Sequence, residues 1–571
     1  MKSKPFHFRL RILTSRFSKT NDGARFSNRR HQSGANKAFQ EIKTLSNYFG
    51  SRGHQSSKSY GRKIWRTGLS AYKIWQHFKA EDRYEDAVTR LANDEVSGRL
   101  PNARPGDERD LIEGGFSTEM VGPYIGCFDG TPYFSGSDIS LTILGGTGTA
   151  KTGSLGGPMT VGLGQGPSPE SVVSISFKAD LAWTTHIGRS ALDGVPTKHF
   201  MPFSQCWEDQ VTFNFFDDLI ELAKRGQRIS DRVRAKNSII FGPVRKSNEM
   251  NSWITAIAEE LSFLILAHRC ELEPQEASPA AMADIANYTR KEMIAELDCL
   301  RESPACEGLI ANMAQKFADD FSAADDSAAK EYRWVMQEYS KAWRLFQKGS
   351  PLRDSTMRTN FNLASLKERP RCLNLYFPPR YKLSHGSFIQ LMLEYIIDTV
   401  AHAPGPVRVN LLCDEFGQYP RLDNALLCLR VYREMGMRMI LLAQDLETFG
   451  AYAKDGGHKP FLNNTINLIW GQRDADMLRN LESRGGQRAH LIASANAEHA
   501  RDGDRGGLSM AEHVTSVFPG DAIQQINHGR MLLDAPGTRL TPMHRPMFWD
   551  LPFAAPHILN FNEHPIPDLN D

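Results

Sequence analysis

Long hydrophobic runs are missing from this chain of 571 residues. A membrane-spanning helix needs ~20 consecutive apolar residues, and the richest stretch, Leu261 to Ala267, falls far short. No apolar segment follows the first basic residues, as a secretory leader would require. The sequence therefore reads as cytosolic. Cysteine is sparse as well: there are eight, none in a C-x-x-C pair, which indicates neither zinc nor disulfides. Cys413 and Cys428 lie in strongly apolar segments, as reduced structural thiols do. At 41% hydrophobic and 23% charged, the composition excludes disordered and fibrous classes and supplies cores for two or three domains.

The net charge of +2 conceals an asymmetry. Residues 1–66 hold sixteen Lys and Arg against Asp22 and Glu41, a net +14, which leaves the remainder at −12. A basic, Ser/Gly/Asn-rich tail on an acidic body suits nucleic acid, an anionic membrane surface or an acidic partner. It is equally compatible with a solvated tail that has no dedicated partner. Residues 1–65 have little apolar periodicity and read as flexible. From 64 to 91 apolar residues recur at helical spacing, with Trp65, Leu69, Tyr72 and Trp75 on one stripe.

The chain is best organised around DISLTILGGTGTAKTGSLGG, residues 138–157. Residues 140–144 form a short apolar run that predicts a buried strand, and it ends on Gly145, Gly146, Thr147, Gly148, Thr149, Ala150, Lys151 and Thr152. Glycines let backbone N–H groups curl around an anion. Lys151 reaches the β- and γ-phosphates of a nucleotide, and the Thr152 hydroxyl ligates Mg²⁺ at the start of a helix. One position departs from the pattern: Ala150 stands where a glycine is expected before the lysine, and its methyl clashes if the native φ is positive. Without a partner motif the stretch also fits an ordinary glycine-rich turn.

Further strands are predicted at 171–177 (SVVSISF) and, more weakly, 211–215 (VTFNF). Helical patterns then dominate from 217 to 347. Strands return at 373–377 and at 407–413, where VRVNLLC ends on Asp414-Glu415. That ending suits a nucleotide hydrolase: Asp414 holds Mg²⁺ through water and Glu415 polarises the attacking water. Another strand, 439–443, ends at Gln444, either a γ-phosphate sensor or an ordinary strand-end amide. After 466–471 (INLIWG) comes a polar, glycine-rich stretch, 485–508, expected to be a linker, and residues 530–536 predict a closing strand.

Together these segments resemble the type IV coupling proteins, the TraG/TraD-type ATPases of conjugation and type IV secretion. The family's signature after its second strand is similar to SFKADLAWTTHIGR, with Lys178, Leu181, Thr185 and Arg189 in register. Phe213 to Asp217 resembles another family element. LLCDEFGQYPRLDNALLCLRVYREMGMRMILLAQ resembles the block around the acidic motif, the stretch from Tyr452 with Asn464 and Asp474 a following block, and MLLDAPGTRLTPMHRP the closing strands. The resemblance covers residues 110–550. It departs at Ala150, at Ser176 where the family usually has Asp, and in the absence of N-terminal membrane-spanning helices; the first two bear on the rate of hydrolysis, and the third implies a soluble or peripheral member.

The resemblance implies an α/β, RecA-like P-loop NTPase fold whose mostly parallel central sheet is interrupted by an inserted all-α domain. The expected organisation is a tail (1–65), a helical segment (66–110), a first nucleotide-binding part (111–216), the helical insert (217–350) and a second nucleotide-binding part (351–571). ATP and Mg²⁺ are the implied cofactors. Implied partners are DNA bound without sequence preference, relaxase or secreted protein substrates, the type IV secretion machinery and five further copies in a ring hexamer, with peripheral contact at the inner membrane. Arg433, or else Arg430, is the arginine expected to reach a neighbour's nucleotide; both also fit as helix-surface arginines. Two other readings stand beside the ATP-driven motor: a non-hydrolysing adaptor of the same family, and a related hexameric DNA-pumping or secretion-assembly ATPase.

Overall fold

The computed structural model describes residues 101–571 apart from 147, 205–207, 248–251, 324–325, 497–506, 527–528, 561–563 and 565–571. The readings of 1–65 as a tail and of 64–91 as a helix lie outside the described residues. So does Thr147.

The described residues fall into two compact units, one of Arg104–Gly485 with Phe518–Asp571, the other of 101–103 with Gly486–Val517. Strands β1 (Phe116–Ser117), β2 (Tyr124–Phe128), β3 (Thr131–Ser135), β4 (Ser140–Gly145), β5 (Ser171–Ser176), β6 (Lys198–Phe200), β7 (Cys372–Tyr376), β8 (Val409–Cys413), β9 (Met437–Ala443) and β10 (Thr465–Trp470) precede a hairpin, β11 (Gln487–Asn496) and β12 (Gly507–Ser516). Two more, β13 (Arg530–Asp534) and β14 (Thr541–His544), follow it.

In the larger unit twelve strands form one sheet in the order β1-β3-β2-β14-β13-β10-β4-β9-β8-β5-β7-β6. From β10 to β6 every pairing is parallel, and the remaining pairings are antiparallel. The parallel half explains the unbroken apolar runs. Every residue of β4, β5, β8, β9 and β10 is buried, as strands covered by helices on both faces must be. Leu141, Ile143, Ile440, Leu442 and Leu468 fill the core between sheet and helices, each burial contributing roughly 1.5–3 kcal/mol.

Between β6 and β7 the described residues form helices and no strand, from Asp217–Lys224 to Ser365–Glu368. This block belongs to the same compact unit as the sheet. Aromatic rings join the two: Phe215 and Phe216 pack on Phe346 and Trp343, and Phe388 touches Phe346, Phe377 and Phe200.

Two sequence expectations are corrected. Residues 211–215 do not form a strand. The N–H groups of Thr212, Phe213 and Asn214 donate instead to the side chain of Asn360, the carbonyl of Ser355 and the hydroxyl of Thr359, so the backbone groups a ladder would use are taken by the end of the helical block. The stretch 485–508 is no plain linker either. β11 and β12 pair antiparallel over ten positions, from Gln487 opposite Ser516 to Asn496 opposite Gly507. Its polar, glycine-rich composition conceals a backbone ladder. Among the described residues no helix is long and apolar enough to cross a membrane.

Candidate functional site

The site grows from the carboxyl ends of the parallel strands, where ligands of open α/β sheets bind. β4 ends at Gly145, and a π-helical turn (Thr152–Gly156) leads into the helix Gly157–Gly162. Gly145 is forced by close approach, because a Cβ there would lie 2.3 Å from the Trp470 ring. Gly148 takes a positive φ of 71°. So does Ala150, at φ 57°. The strain that the sequence left conditional is therefore present, at a cost of about 1–2 kcal/mol for a residue with a Cβ.

Lys151 is 8% exposed. Its ammonium donates to the carbonyl of Gly145 at 2.8 Å and of Gly146 at 3.4 Å, and burial pushes its pKa down. A cation folded into the loop, its hydrogen bonds among the described residues made to carbonyls, fits a polyphosphate.

The acidic motif stands two strands away. β9 separates β4 from β8, so at ~4.8 Å per strand the two motifs are roughly 10 Å apart. Register brings them level: Cys413 pairs with Leu441, which pairs with Thr142. Asp414 and Glu415 therefore face the loop's mouth. Asp414 is 3% exposed, and burial, then the charge of Glu415, push its carboxyl up to about 6. Tyr419 donates to the Asp414 carbonyl at 2.7 Å and pins the turn. Glu415 is itself left-handed, at φ 56°, a strained non-glycine residue of the kind that clusters at functional sites. Thr152 and Asp414 offer the hard oxygen donors that suit Mg²⁺ beside a nucleotide's own phosphates. Gln444 directly follows β9, whose Ala443 pairs with Leu144, and its carbonyl accepts from Gln472 at 3.1 Å. It thus joins the same strand-end row.

Arg433 and Arg430 do not. Arg433 precedes β9 and ion-pairs with Asp138, just ahead of β4, at 3.4 Å; Arg430 ends the helix Asp423–Arg430, exposed. Both lie toward the amino ends of the strands.

Two basic residues escaped the sequence-based list of site residues. Lys178 ion-pairs with Glu415 at 2.6 Å; family resemblance flagged its position but assigned it no role. Ser176 shapes this turn, accepting from the Lys178 N–H at 2.9 Å and donating to its carbonyl. It thereby makes the turn-closing bond an aspartate would make. Arg545, 5% exposed, donates to the carbonyl of Thr149 at 2.8 Å and sits 4.3 Å over the Trp470 ring. It lies in the block that resembles the family's closing strands, but nothing there links it to the loop, since 396 positions separate it from Thr149.

A Lys-Thr loop between strand and helix, facing an Asp-Glu strand end across one intervening strand, defines an α/β protein of the phosphate-loop class. More narrowly, the chain belongs to the family described as type IV secretory system conjugative DNA transfer, whose model matches residues 118–496. Among solved structures it is similar to the bacterial conjugative coupling protein TrwBdeltaN70 in an unbound form. Identity there is 14%, covering 78% of this chain and 93% of that one, with a TM-score of 0.49. It is similar also to the plasmid coupling protein TrwB in complex with the ATP analogue ADPNP (12%, 78% and 94%, 0.49) and with ADP and Mg²⁺ (13%, 78% and 94%, 0.49). No curated protein matches the sequence.

Proposed function

We propose that the chain is an ATP-hydrolysing coupling protein that recruits DNA, protein or both to a type IV secretion system and drives their transfer. One observation carries this reading: the strands that lead to the Lys151 loop and to the Asp414-Glu415 pair stand level in register on either side of β9, at the carboxyl ends of the parallel strands. The loop's N–H groups and Lys151 bind the phosphates. Thr152 and Asp414 would hold Mg²⁺, which when bound would neutralise charge on the phosphates. Glu415 orients and deprotonates the attacking water, after exchanging its ion pair with Lys178, and Gln444 reads the γ-phosphate. In a ring hexamer Arg433 of the next copy stabilises the transferred charge. DNA contact is sequence-independent and salt-sensitive, and the helical block receives relaxase or other protein substrates. Peripheral contact with the inner membrane falls to the basic tail.

The test is ATP turnover with and without single- and double-stranded DNA, with oligomer size followed by light scattering in the same samples. DNA-stimulated turnover in a six-copy particle is expected. Lys151→Ala and Glu415→Gln should each lower it at least ~100-fold; activity that survives both means the site is elsewhere. Strain at Ala150 favours a second reading, the non-hydrolysing adaptor, which predicts nucleotide binding without turnover.

A further inference from the structure

Arg545 is a buried guanidinium with no carboxylate partner among the described residues, an arrangement that costs free energy unless its hydrogen bonds are well directed. Its Nε donates to the Arg530 carbonyl at 3.4 Å, and the other bonds are directed at the phosphate loop. Its Nη1 donates to the Thr149 carbonyl at 2.8 Å and to the Ser154 hydroxyl at 3.4 Å. That hydroxyl in turn donates to the Ala150 carbonyl at 2.8 Å, while the Ser154 N–H donates to the same carbonyl at 2.9 Å.

The Thr149 carbonyl belongs to the peptide plane before Ala150 and the Ala150 carbonyl to the plane after it. The orientation of the first plane about Cα sets φ and that of the second sets ψ. One guanidinium therefore holds the first of the two planes that define the conformation of residue 150 directly and the second through the Ser154 hydroxyl. The Trp470 face fixes the guanidinium in turn, 4.3 Å below it, and Trp470 is paired with Gly145 at the loop's other end. The clamp closes over the loop from β10 and from the segment just past β14.

We infer that Arg545 is a positioning residue for the phosphate loop, holding Ala150 in the left-handed conformation that a glycine would adopt unaided. This rests on the nucleotide-binding reading of the loop. Arg545 and the alanine form a compensated pair: where residue 150 is glycine, the clamp is dispensable.

The inference is tested with a fluorescent non-hydrolysable ATP analogue and Mg²⁺, titrated into the full chain and its variants. Arg545→Met keeps volume over Trp470 and removes the donors; Ser154→Ala is a smaller change that cuts the link to the Ala150 carbonyl alone. Arg545→Met should weaken the analogue's affinity roughly tenfold, the loss of its charge-assisted hydrogen bonds to Thr149 and Ser154, and Ser154→Ala about threefold. Adding Ala150→Gly to either should restore affinity to within about twofold of the Ala150→Gly single variant. A purely structural arginine would not respond to a change at residue 150. If Arg545→Met does not fold, Ser154→Ala with and without Ala150→Gly decides the matter alone. Undiminished binding by the foldable variants, or a loss that Ala150→Gly leaves in place, overturns the inference while the nucleotide reading stands. A native chain that binds no analogue overturns both.

Discussion

Glu394 is a residue whose protonation the fold sets against its own hydrogen bonding. It lies in the helix Gly386–His402 and accepts from the N–H groups of Asp423 at 2.5 Å and Asn424 at 3.2 Å. It thus caps the helix Asp423–Arg430, whose own N-cap position, Leu422, offers no side-chain acceptor. Burial outweighs those bonds and, with Asp423 and Asp398 nearby, pushes its carboxyl up to about 7. A carboxyl with a raised folded pKa stabilises the fold fully below its ordinary value near 4.5, and that contribution is lost as pH rises through about 7. Glu394→Gln keeps the acceptor without the charge. Urea denaturation at pH 5 and pH 8 should show the variant gaining about 2 kcal/mol on the native chain at the higher pH and little at the lower; a pH-independent difference would mean the carboxyl does not titrate in this range.

At the scale of elements, the strands that carry the site are pinned at their opposite ends. Arg438 of β9 is fully buried and donates to Glu170 at 2.7 Å, to Asn410 of β8 at 2.9 Å and to the Ser137 carbonyl ahead of β4 at 2.6 Å. Glu170, just before β5, also accepts from Asn410 at 2.8 Å. Four strands are thereby fixed in register about 20 Å from the phosphate loop, at ~3.3 Å per residue. Glu170→Ala strands a buried guanidinium and should cost about 3–5 kcal/mol by chemical denaturation, with Arg438→Met recovering most of it. A loss below about 1 kcal/mol would remove the pin from the account. In the sequence Arg438 reads as an interruption of an apolar run, which is why the strand expected at 439–443 starts two residues later than β9 does. The strands that runs of Val, Ile and Leu announce, β4, β5, β7, β8 and β10, were legible because both faces are covered. Elsewhere composition misleads: 211–215 reads as a strand but gives N–H groups to Asn360, Ser355 and Thr359, and the β11–β12 ladder lies in a stretch that reads as a linker. The site divides the same way. Lys151, Thr152, Asp414 and Glu415 carry local motifs, whereas Arg545 reaches Thr149 across 396 positions, and only tertiary structure brings such residues together.

For the whole molecule the proposed ring makes its sharpest prediction at Arg433. Arg433 lies toward the amino ends of the strands, 3.4 Å from Asp138 and away from its own phosphate loop. A transition-state arginine there acts on a neighbour's nucleotide or on none, and a head-to-tail ring supplies that neighbour at every interface. Such an arginine is worth ~10³–10⁵ in turnover and little in ground-state binding. Arg433→Ala should therefore bind the ATP analogue within about twofold of the native chain yet lose turnover by ~10³. Lys151→Ala should be inactive for the opposite reason, having an intact Arg433 and a disabled loop. Mixed before assembly, the two inactive variants create interfaces where an intact loop from one meets Arg433 from the other, so turnover should reappear in the mixture. No recovery, with mixed particles verified by a tag on one variant, would place the arginine in its own chain's site or exclude it from the chemistry. Full activity in Arg433→Ala, with the complementation pattern transferred to Arg430→Ala, would move the role three residues back along the chain.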